Sequence, residues 1–435
     1  MRGQKSQPPK LPIISPGTSP GLFILRKAMK QNTENIRFLE KNETLDSVSA
    51  TGVSLHCHSM YSKELLDFVP HYAERIPIVK HIWRREMRRY ESEYGARPDF
   101  TSGFWQPPLT GFDVLASESA GLLDMGLKPI VSITDHDRID ANIELNNASH
   151  EIPISMEWTV PFENAFFHLG VHNLPEDRAA QVTEDLLNYT YAKGEPDNER
   201  LTELFEMLNE IPDLLIVFNH PIWDIEMIGQ ENHEIALGRF LDCHRQWLHA
   251  IEVNGFREWK ENDRAVELAK SLGLPIISGG DRHCCQPNTM FNVTNAADFS
   301  EFVDEVRNDR HSRIVITAEY HVPLPSRQLA SISQILGDYP HFSEGRQLWS
   351  DRIFLDTNDG MGLRSLTDQW NGRRPVWSLV ALEILRMMGH SWFRPLINAA
   401  VGDKDIGRQG QIHRPALIGK QSPGLTANRL DPESV

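Results

Sequence analysis

The sequence predicts an α/β fold with a mainly parallel sheet. From Val53 onward, short apolar runs bounded by turn residues alternate with amphipathic stretches, which is the pattern of repeated strand–helix units. Most of the strand candidates also carry or adjoin a His or Asp at the C-terminal end, as expected where parallel strands converge on a site. The seven strand candidates are GVSLHCH, KPIVSITD, FFHLGVH, LLIVFNH, HAIEVNG, LPIISGG and SRIVIT.

Helices are predicted between these strands. Apolar residues at three- and four-residue spacing favour helices over Asn198–Leu208 and Trp259–Leu272. Asp298 and Glu301 in DFSE form a capping-box pattern that predicts the start of another helix. The strands and helices together cover the middle of the chain.

Composition divides the 435 residues into segments. The N-terminal part is rich in Pro, Ser, Lys and Asn, which is typical of disorder, with one short helix expected around Leu22–Met29. The charged run HIWRREMRRYESEYGARP predicts a solvated helix and loop, and VWSLVALEILRMMG predicts an apolar helix too short to span a bilayer. We expect a disordered leader (1–50), an α/β domain (51–317) with an insertion (64–112), a C-terminal extension packed on that domain (318–402) and a polar tail (403–435).

The charge of the chain restricts its partners. Acidic residues outnumber basic ones by 60 to 44, for a net charge of −16, so the average field repels polyanions and makes long nucleic acid an unlikely partner. A local basic patch could still bind a small phosphorylated substrate.

Location is predicted from the cysteines and the apolar runs. The four cysteines include no CxxC pair and suit a reducing cytoplasm. The N-terminus lacks the uninterrupted apolar region of a signal peptide, and no run approaches the ~18 apolar residues of a membrane span. We therefore expect a cytoplasmic protein without a membrane partner, whose oligomeric state the sequence does not indicate.

Two pairs of polar residues have the spacing of metal ligands on a strand. Because residues i and i+2 point to the same face, His56 and His58 in SLHCHS can present two imidazoles to one ion. Asp281 and His283 in GGDRH repeat this arrangement, and the two glycines before them suit a tight turn or a close backbone approach. A single pair could arise by chance among 18 histidines.

Further candidates lie at or near other strand ends. Asp135, His136 and Asp137 in ITDHD follow an apolar run, although Asp137 could instead cap a helix. His220 could be a core histidine, and Glu157 a surface carboxylate. Their shared position nevertheless favours one site, to which we add Glu157 in SMEW, His168 in FFHLGVH and His220 in FNHP.

The motifs taken in order resemble those of a known family. LHCHSMYS, ITDHD, MEW followed by FHLGVH, NHP, IEVNG and GGDRH are similar to motifs of the PHP (polymerase and histidinol phosphatase) superfamily of metal-dependent phosphoesterases, over residues 53–317. The resemblance implies a distorted seven-stranded (β/α) barrel that holds two or three divalent ions, Mn, Zn or Fe. It implies metal ligation by His56, His58, His136, Glu157, His168, His220, Asp281 and His283.

One position departs from the family pattern. The first motif usually continues as HTxxSD, but here SMYSKE places Lys63 where an acidic ligand is expected. Either a third ion is absent or weakly bound, or Glu64 or Asp67 replaces the ligand. Lys63 could instead hold a phosphate oxygen as a point charge.

The function expected from this resemblance is hydrolysis of a phosphate monoester or small diester by a metal-activated water. An amidohydrolase-type enzyme or a catalytically silent metal-binding domain remains an alternative. The sequence does not identify the substrate. Arg282 is a further candidate for phosphate binding, and the predicted catalytic residues are Asp135, Asp137, Arg138 and Lys63.

Overall fold

The computed structural model describes residues 35–393 except positions 42, 44, 46–48 and 76, and also residue 395. The helix expected near Leu22–Met29 and the predicted tail from residue 403 lie outside the described residues. The strands are β1 (Ile36–Phe38), β2 (Thr51–Cys57), β3 (Glu64–Leu65), β4 (Asp99–Trp105), β5 (Lys128–Ile133), β6 (Ile154–Phe162), β7 (Ala165–Leu174), β8 (Leu215–Asn219), β9 (Ala250–Asn254), β10 (Ile276–Gly279), β11 (Met290–Thr294), β12 (Ile314–Ile316), β13 (Ile353–Asp356) and β14 (Arg364–Ser365).

Helices follow most of these strands. They are α1 (Phe68–Arg75), α2 (Pro77–Tyr94), α3 (Gly111–Leu123), α4 (Asp140–Asn147), α5 (Ala179–Thr190), α6 (Asn198–Asn209), α7 (Gln230–His244), α8 (Trp259–Leu272), α9 (Phe299–Arg307), α10 (Leu324–Ile335), α11 (Leu366–Gln369) and α12 (Val376–Gly389). Short 3₁₀ turns occupy Arg245–Trp247, Ala318–His321, Trp349–Arg352 and Ser391–Phe393.

The described strands form three sheets in a mixed α/β fold. The first sheet has the order β1-β12-β11-β2-β5 and the second β10-β9-β8-β7-β6. The pairs β2/β5, β8/β9 and β9/β10 are parallel, whereas β11 and β7 run antiparallel to their neighbours. All seven predicted strands are present, whereas β6 and β11 were not predicted. Because β7 and β11 run antiparallel to their neighbours, the sheets are mixed rather than mainly parallel.

The expectation of a closed seven-stranded barrel is not met. Among the described residues, the first and second sheets are not joined by continuous ladders. Isolated parallel bridges, Cys57 to Arg282 and His136 to Glu157, are the strand-type pairs seen between them. The ladders stop there because the chain turns sharply at residues such as His56 (φ 60°) and Asp281 (φ 51°), whose backbones leave the extended conformation.

The largest hydrophobic cluster lies between the second sheet and the helices packed on it. Trp158, Phe205, Phe218 and Phe240 are fully buried there, so this apolar side supports the strands that carry the polar site. The predicted helices over 198–208 and 259–272 are confirmed as α6 and α8.

The insertion and the C-terminal extension share the third sheet, of order β14-β13-β4-β3. The two inner strands, β4 and β13, are antiparallel. Segments about 250 residues apart in the sequence therefore form one accessory unit. The charged run of the insertion forms α2, and the apolar run of the extension forms α12, as predicted. In the described part of the chain, no helix has the length and apolar character needed to cross a membrane.

Candidate metal centre

A buried carboxylate, Glu157 of β6, lies at the centre of the site. Its Oε2 atom lies 3.0 Å from His56 Nε2, 3.4 Å from His58 Nε2 and 3.3 Å from His136 Nδ1. Its Oε1 atom lies 3.2 Å from His168 Nδ1 and 3.1 Å from His220 Nε2. Each oxygen thus faces a different set of imidazoles, which is the arrangement of a carboxylate that can bridge two ions.

A second carboxylate, Glu64, joins the cluster from the insertion. Its Oε2 atom lies 3.1 Å from His283 Nε2 and 3.3 Å from His136 Nε2, and Oε1 accepts a 2.6 Å hydrogen bond from Ser62 Oγ. Its neighbour Lys63 is exposed, and the ammonium lies 5.0 Å from the centroid of the Phe104 ring. Glu64 and Asp67 were the two carboxylates that could replace the acidic ligand expected at Lys63. The structure brings Glu64 to the histidines.

The backbone at several of these residues has positive φ. Positive φ angles occur at His56 (60°), Asp137 (55°), His220 (26°) and Asp281 (51°). At His56 the register between β2 and β5 also shifts, between Leu55 and Cys57. Non-glycine residues adopt this region at a cost, and such residues cluster at functional sites. His56 thus reaches the centre from a bulge and not from a regular strand.

Asp281 is held by groups from the second sheet. Its Oδ1 atom lies 3.8 Å from both His56 Nε2 and His58 Nε2, while Oδ2 forms a 3.0 Å ion pair with Arg257 Nη2. The Arg257 guanidinium stacks at 3.7 Å on the Trp223 ring. The orientation of the Asp281 carboxylate is therefore fixed by an arginine that is itself held in place by Trp223.

Glu252 of β9 orients His56. Its Oε1 atom lies 2.5 Å from His56 Nδ1, and its Oε2 atom accepts a 2.8 Å hydrogen bond from the backbone N–H of His220. A Cβ atom added to Gly279 would lie only 1.6 Å from Glu252 Oε1. The first glycine of GGDRH is thus required by the close approach of this carboxylate.

The charges of the cluster divide the histidines into two kinds. Burial would lower the pKa of His136, but Glu64 and Glu157 raise it to about 10. Burial would likewise lower the pKa of His56, yet Glu157 and Glu252 raise it well above its usual value. Burial lowers the pKa of His168 and His220 even though Glu157 raises it, so their environment favours the neutral imidazole. The raised values indicate excess negative charge, which divalent cations would neutralise.

These residues fit a metal centre. Three overlapping groups have ligand atoms within 4.8 Å of one another: His58/Glu64/His136/His283, His56/His58/Glu157 and His136/Glu157/His168. The buried atoms His58 Nε2 and His168 Nδ1 lie 3.4 and 3.2 Å from Glu157 oxygens but form no hydrogen bond, which leaves both nitrogens available to an ion. Imidazole and carboxylate donors together suit Zn, Mn or Fe.

The predicted metal ligands lie close together. His56, His58, His136, Glu157, His168 and His283 belong to the three groups, and His220 and Asp281 contact them. Their role as ligands remains a prediction.

The predicted catalytic residues Asp135 and Asp137 lie beside the cluster with their oxygens occupied. Asp135 accepts hydrogen bonds from Ser59 N (2.5 Å) and Ser59 Oγ (2.6 Å). Asp137 accepts from Thr159 N (2.8 Å) and Tyr191 Oη (3.3 Å). Burial raises the pKa of Asp135 to about 7 and that of Asp137 to about 6. Both carboxyls therefore connect loops around the histidines.

Of the basic candidates, Arg138 is partly exposed and forms a 2.8 Å ion pair with Asp140. Arg282 is buried, and its guanidinium pairs with Glu118 and donates to Ser117 Oγ at 3.1 Å. Arg282 is therefore not available to bind a phosphate, because its guanidinium is already paired with the Glu118 carboxylate.

Sequence reasoning missed Glu252, Arg257 and Trp105. Glu252 did carry a signal, since a carboxylate in the otherwise apolar strand AIEVN must find a polar partner when buried. Arg257 and Trp105 carried none, because only the folded loops bring them to Asp281 and His283.

Comparisons with known proteins gave only weak structural similarities. No protein-family model and no curated protein matched the sequence. PsfC from Pseudomonas syringae PB-5123 is 17% identical over 62% of this chain and 93% of its own, with a TM-score of 0.34. An amidohydrolase from Chromobacterium violaceum is 15% identical over 53% and 87%, with a TM-score of 0.32. A protein described as a metal-dependent phosphoesterase, from Bifidobacterium adolescentis ATCC 15703, is 13% identical over 59% and 96%, with a TM-score of 0.32. Similarities this weak do not determine the function of this chain.

Proposed function

We propose that this chain is a metal-dependent phosphoesterase that cleaves a small phosphate monoester or diester with a metal-activated water. The observation that carries the proposal is the Glu157 carboxylate, whose two oxygens each face separate imidazoles within three overlapping ligand groups. Such a centre accommodates two or three divalent ions, and the ordered motifs favour the PHP superfamily as its origin.

The proposed fold relationship rests on the seven strands around the centre. Strands β2 and β5 to β10 surround the cluster, and the bridges at Cys57 and His136 lie where the two sheets meet. We infer that they correspond to a PHP-type barrel that is opened at these two positions.

Bound divalent ions would lower the pKa of a water and neutralise the phosphoryl oxygens. The chain itself orients the donors: Glu252 fixes His56, and Arg257 fixes Asp281. Asp135 and Asp137 keep the loops that carry the histidines in place through their hydrogen bonds. Arg138 follows these residues and is the candidate for positive charge at the substrate phosphate, because its ion pair with Asp140 is partly exposed and can be exchanged, unlike the buried pair of Arg282 with Glu118.

An amidohydrolase activity is the second candidate, and the lysine distinguishes it. The usual amidohydrolase pattern includes a carboxylated lysine at the metals. The carboxylate of Glu157 holds the central position among the imidazoles, and the Lys63 ammonium lies over Phe104. This favours the phosphoesterase.

A substrate panel tests the proposal. Protein stripped of metal and reloaded with Mn, Zn or Fe would be assayed on p-nitrophenyl phosphate, bis-p-nitrophenyl phosphate, and a set of amides and lactones. We expect phosphoester turnover that His56→Ala and Asp281→Ala each reduce by a factor of about 100 or more. The exposed His150→Ala, outside the cluster, is the matched control and should retain full activity.

Two other outcomes would contradict the proposal. Turnover of amides or lactones without release of phosphate would assign the site to the amidohydrolase alternative. Bound metal without hydrolysis of any ester would indicate a metal-stabilised domain that is not an enzyme.

A further inference from the structure

The ligand group that contains Glu64 depends on a distant part of the chain. Glu64 pairs with Trp105 across β3 and β4, and on the other edge of β4 Trp105 pairs with Ile353 of β13. Only β4 therefore separates this carboxylate from the C-terminal extension.

The two faces of this accessory sheet have different roles. Directly opposed residues of antiparallel strands share a face, so Glu64, Trp105 and Ile353 point the same way. The Trp105 ring lies 5.8 Å from the His283 ring, which identifies this face as the one toward the cluster. On the other face, Phe104 stacks on Phe354 at 4.8 Å and also lies under the Lys63 ammonium.

The extension also holds the end of β4. The backbone N–H of Gln106 donates to Arg352 O at 2.9 Å. The Arg346 guanidinium donates to Gln106 Oε1 at 3.1 Å and to Pro107 O at 3.0 Å. Because β3 has only two residues and an isolated pair of strands is marginal in water, β3 and β4 need this third strand to hold their geometry.

We propose that the C-terminal extension is a positioning element for metal binding. The docking of β13 on β4 holds Glu64 against His136 and His283 and so completes one divalent-cation position. The inference rests on the proposed metal centre but not on the phosphoester reaction.

Zn²⁺ binding to the full chain tests it. Zn²⁺ per chain would be measured by mass spectrometry, and each dissociation constant by competition with a chelator. Phe354→Ala removes the stack on Phe104, and Arg346→Ala removes both contacts to the end of β4, so either variant suffices if the other does not fold. Trp377→Ala is the matched control, because it also truncates an aromatic side chain of the extension, but one that is exposed on α12.

We expect Glu64→Gln to lose one ion per chain. Phe354→Ala and Arg346→Ala should lower the affinity for that ion by about 10-fold or more and leave the affinities for the other ions unchanged. Groups that orient ligands typically contribute 10- to 100-fold in affinity. The control should match wild type.

Unchanged binding of every ion in both variants would overturn the inference, and so would equal weakening of all ions or full Zn²⁺ content in Glu64→Gln. Loss of one ion from a protein that cleaves no phosphoester would refute the proposed reaction and leave the positioning role standing.

Discussion

Single residues around the cluster act mainly by orienting other residues. Glu252 fixes His56 through one oxygen and the backbone of His220 through the other. Such second contacts set the direction of a ligand nitrogen before any ion binds.

Glu252→Gln should therefore weaken metal binding. We expect a 10- to 100-fold lower affinity for Zn²⁺, because the amide cannot accept the proton of His56 Nδ1 with the strength of a carboxylate. Chelator competition measures it. Glu305→Gln, which removes a carboxylate bonded to Thr294 Oγ1, should leave the affinity unchanged. Equal affinities in wild type and Glu252→Gln would show that His56 needs no orienting group.

Arg138 and Lys63 form a second comparison. Arg138→Ala should raise KM for a phosphoester about 10-fold, because it removes positive charge beside the histidines. Lys63→Ala should leave KM and kcat nearly unchanged, because its ammonium lies on the outer face over Phe104. Steady-state kinetics on p-nitrophenyl phosphate decide both, and a large effect at Lys63 would restore the phosphate-binding role expected from the sequence.

At the scale of elements, strand β10 ends at Gly279, where the Glu252 carboxylate lies against its backbone. Gly279 has no side chain, and Glu252 fills the space that a Cβ atom would occupy. Gly279, the last residue of β10, thus leaves room for the Glu252 side chain of the neighbouring strand β9.

Gly279→Ala should destabilise the protein by about 1–3 kcal/mol and reduce its metal content, because the new methyl group overpacks the site and displaces Glu252. Gly238→Ala in α7 has open space around it and should stabilise the protein by about 0.5–1 kcal/mol. Urea unfolding of both variants measures the difference. If both variants had the same free energy of unfolding, β10 would accommodate the new methyl group without loss of stability, and the prediction would be wrong.

Helix α7 ends in a buried histidine within an aromatic cluster. The His244 ring lies 5.2 Å from both Phe205 and Phe240, and neither ring nitrogen has a hydrogen-bond partner. Burial lowers its pKa to about 4. This histidine belongs to the apolar core and not to the metal centre.

Acid should act on the core through this group. The unfolded histidine, with a pKa near 6.5, gains its proton before the folded one does, so the free energy of unfolding falls as pH decreases from 6.5 toward 4. We expect the His244 contribution to be about 2 kcal/mol between pH 7 and pH 5. Urea unfolding at several pH values should show a smaller decrease for His244→Phe, and an identical pH dependence would contradict this.

At the scale of the whole molecule, the metal centre connects both main sheets with the accessory sheet. Histidines from β2, β7 and the loops after β2, β5 and β8 meet at Glu157, and His283 from the loop after β10 meets Glu64. Ions bound there would link elements that otherwise meet at isolated bridges.

Removal of metal should therefore lower the melting temperature. A ligand present at 100 times its dissociation constant stabilises the folded state by about 2.7 kcal/mol, which corresponds to roughly 4–5 °C for a domain of this size. Calorimetry with EDTA and after Zn²⁺ addition measures the shift. A melting temperature that EDTA leaves unchanged would show that the cluster holds no stabilising ion.

Much of the fold and site could be predicted because local patterns determine them. Apolar runs identified seven strands, and helices α6, α8 and α12 follow the predicted ranges closely. The spacing of His56 and His58 and of Asp281 and His283 identified the right residues, although the structure places His56 in a bulge and the other three just past the ends of β2 and β10. Strand β6 was missed, although its Glu157 was identified, because two antiparallel strands follow each other there without a helix.

The sequence by itself determined which residue types could form a metal centre and which strands would carry them. The tertiary structure decided that Glu64 and not Lys63 reaches the histidines, that Glu118 occupies Arg282, and that Glu252 and Arg257 support the ligands. Alternation along a strand can be read from neighbours in the chain. The partners of a buried charge come from distant segments, and only the folded chain brings them within hydrogen-bonding distance.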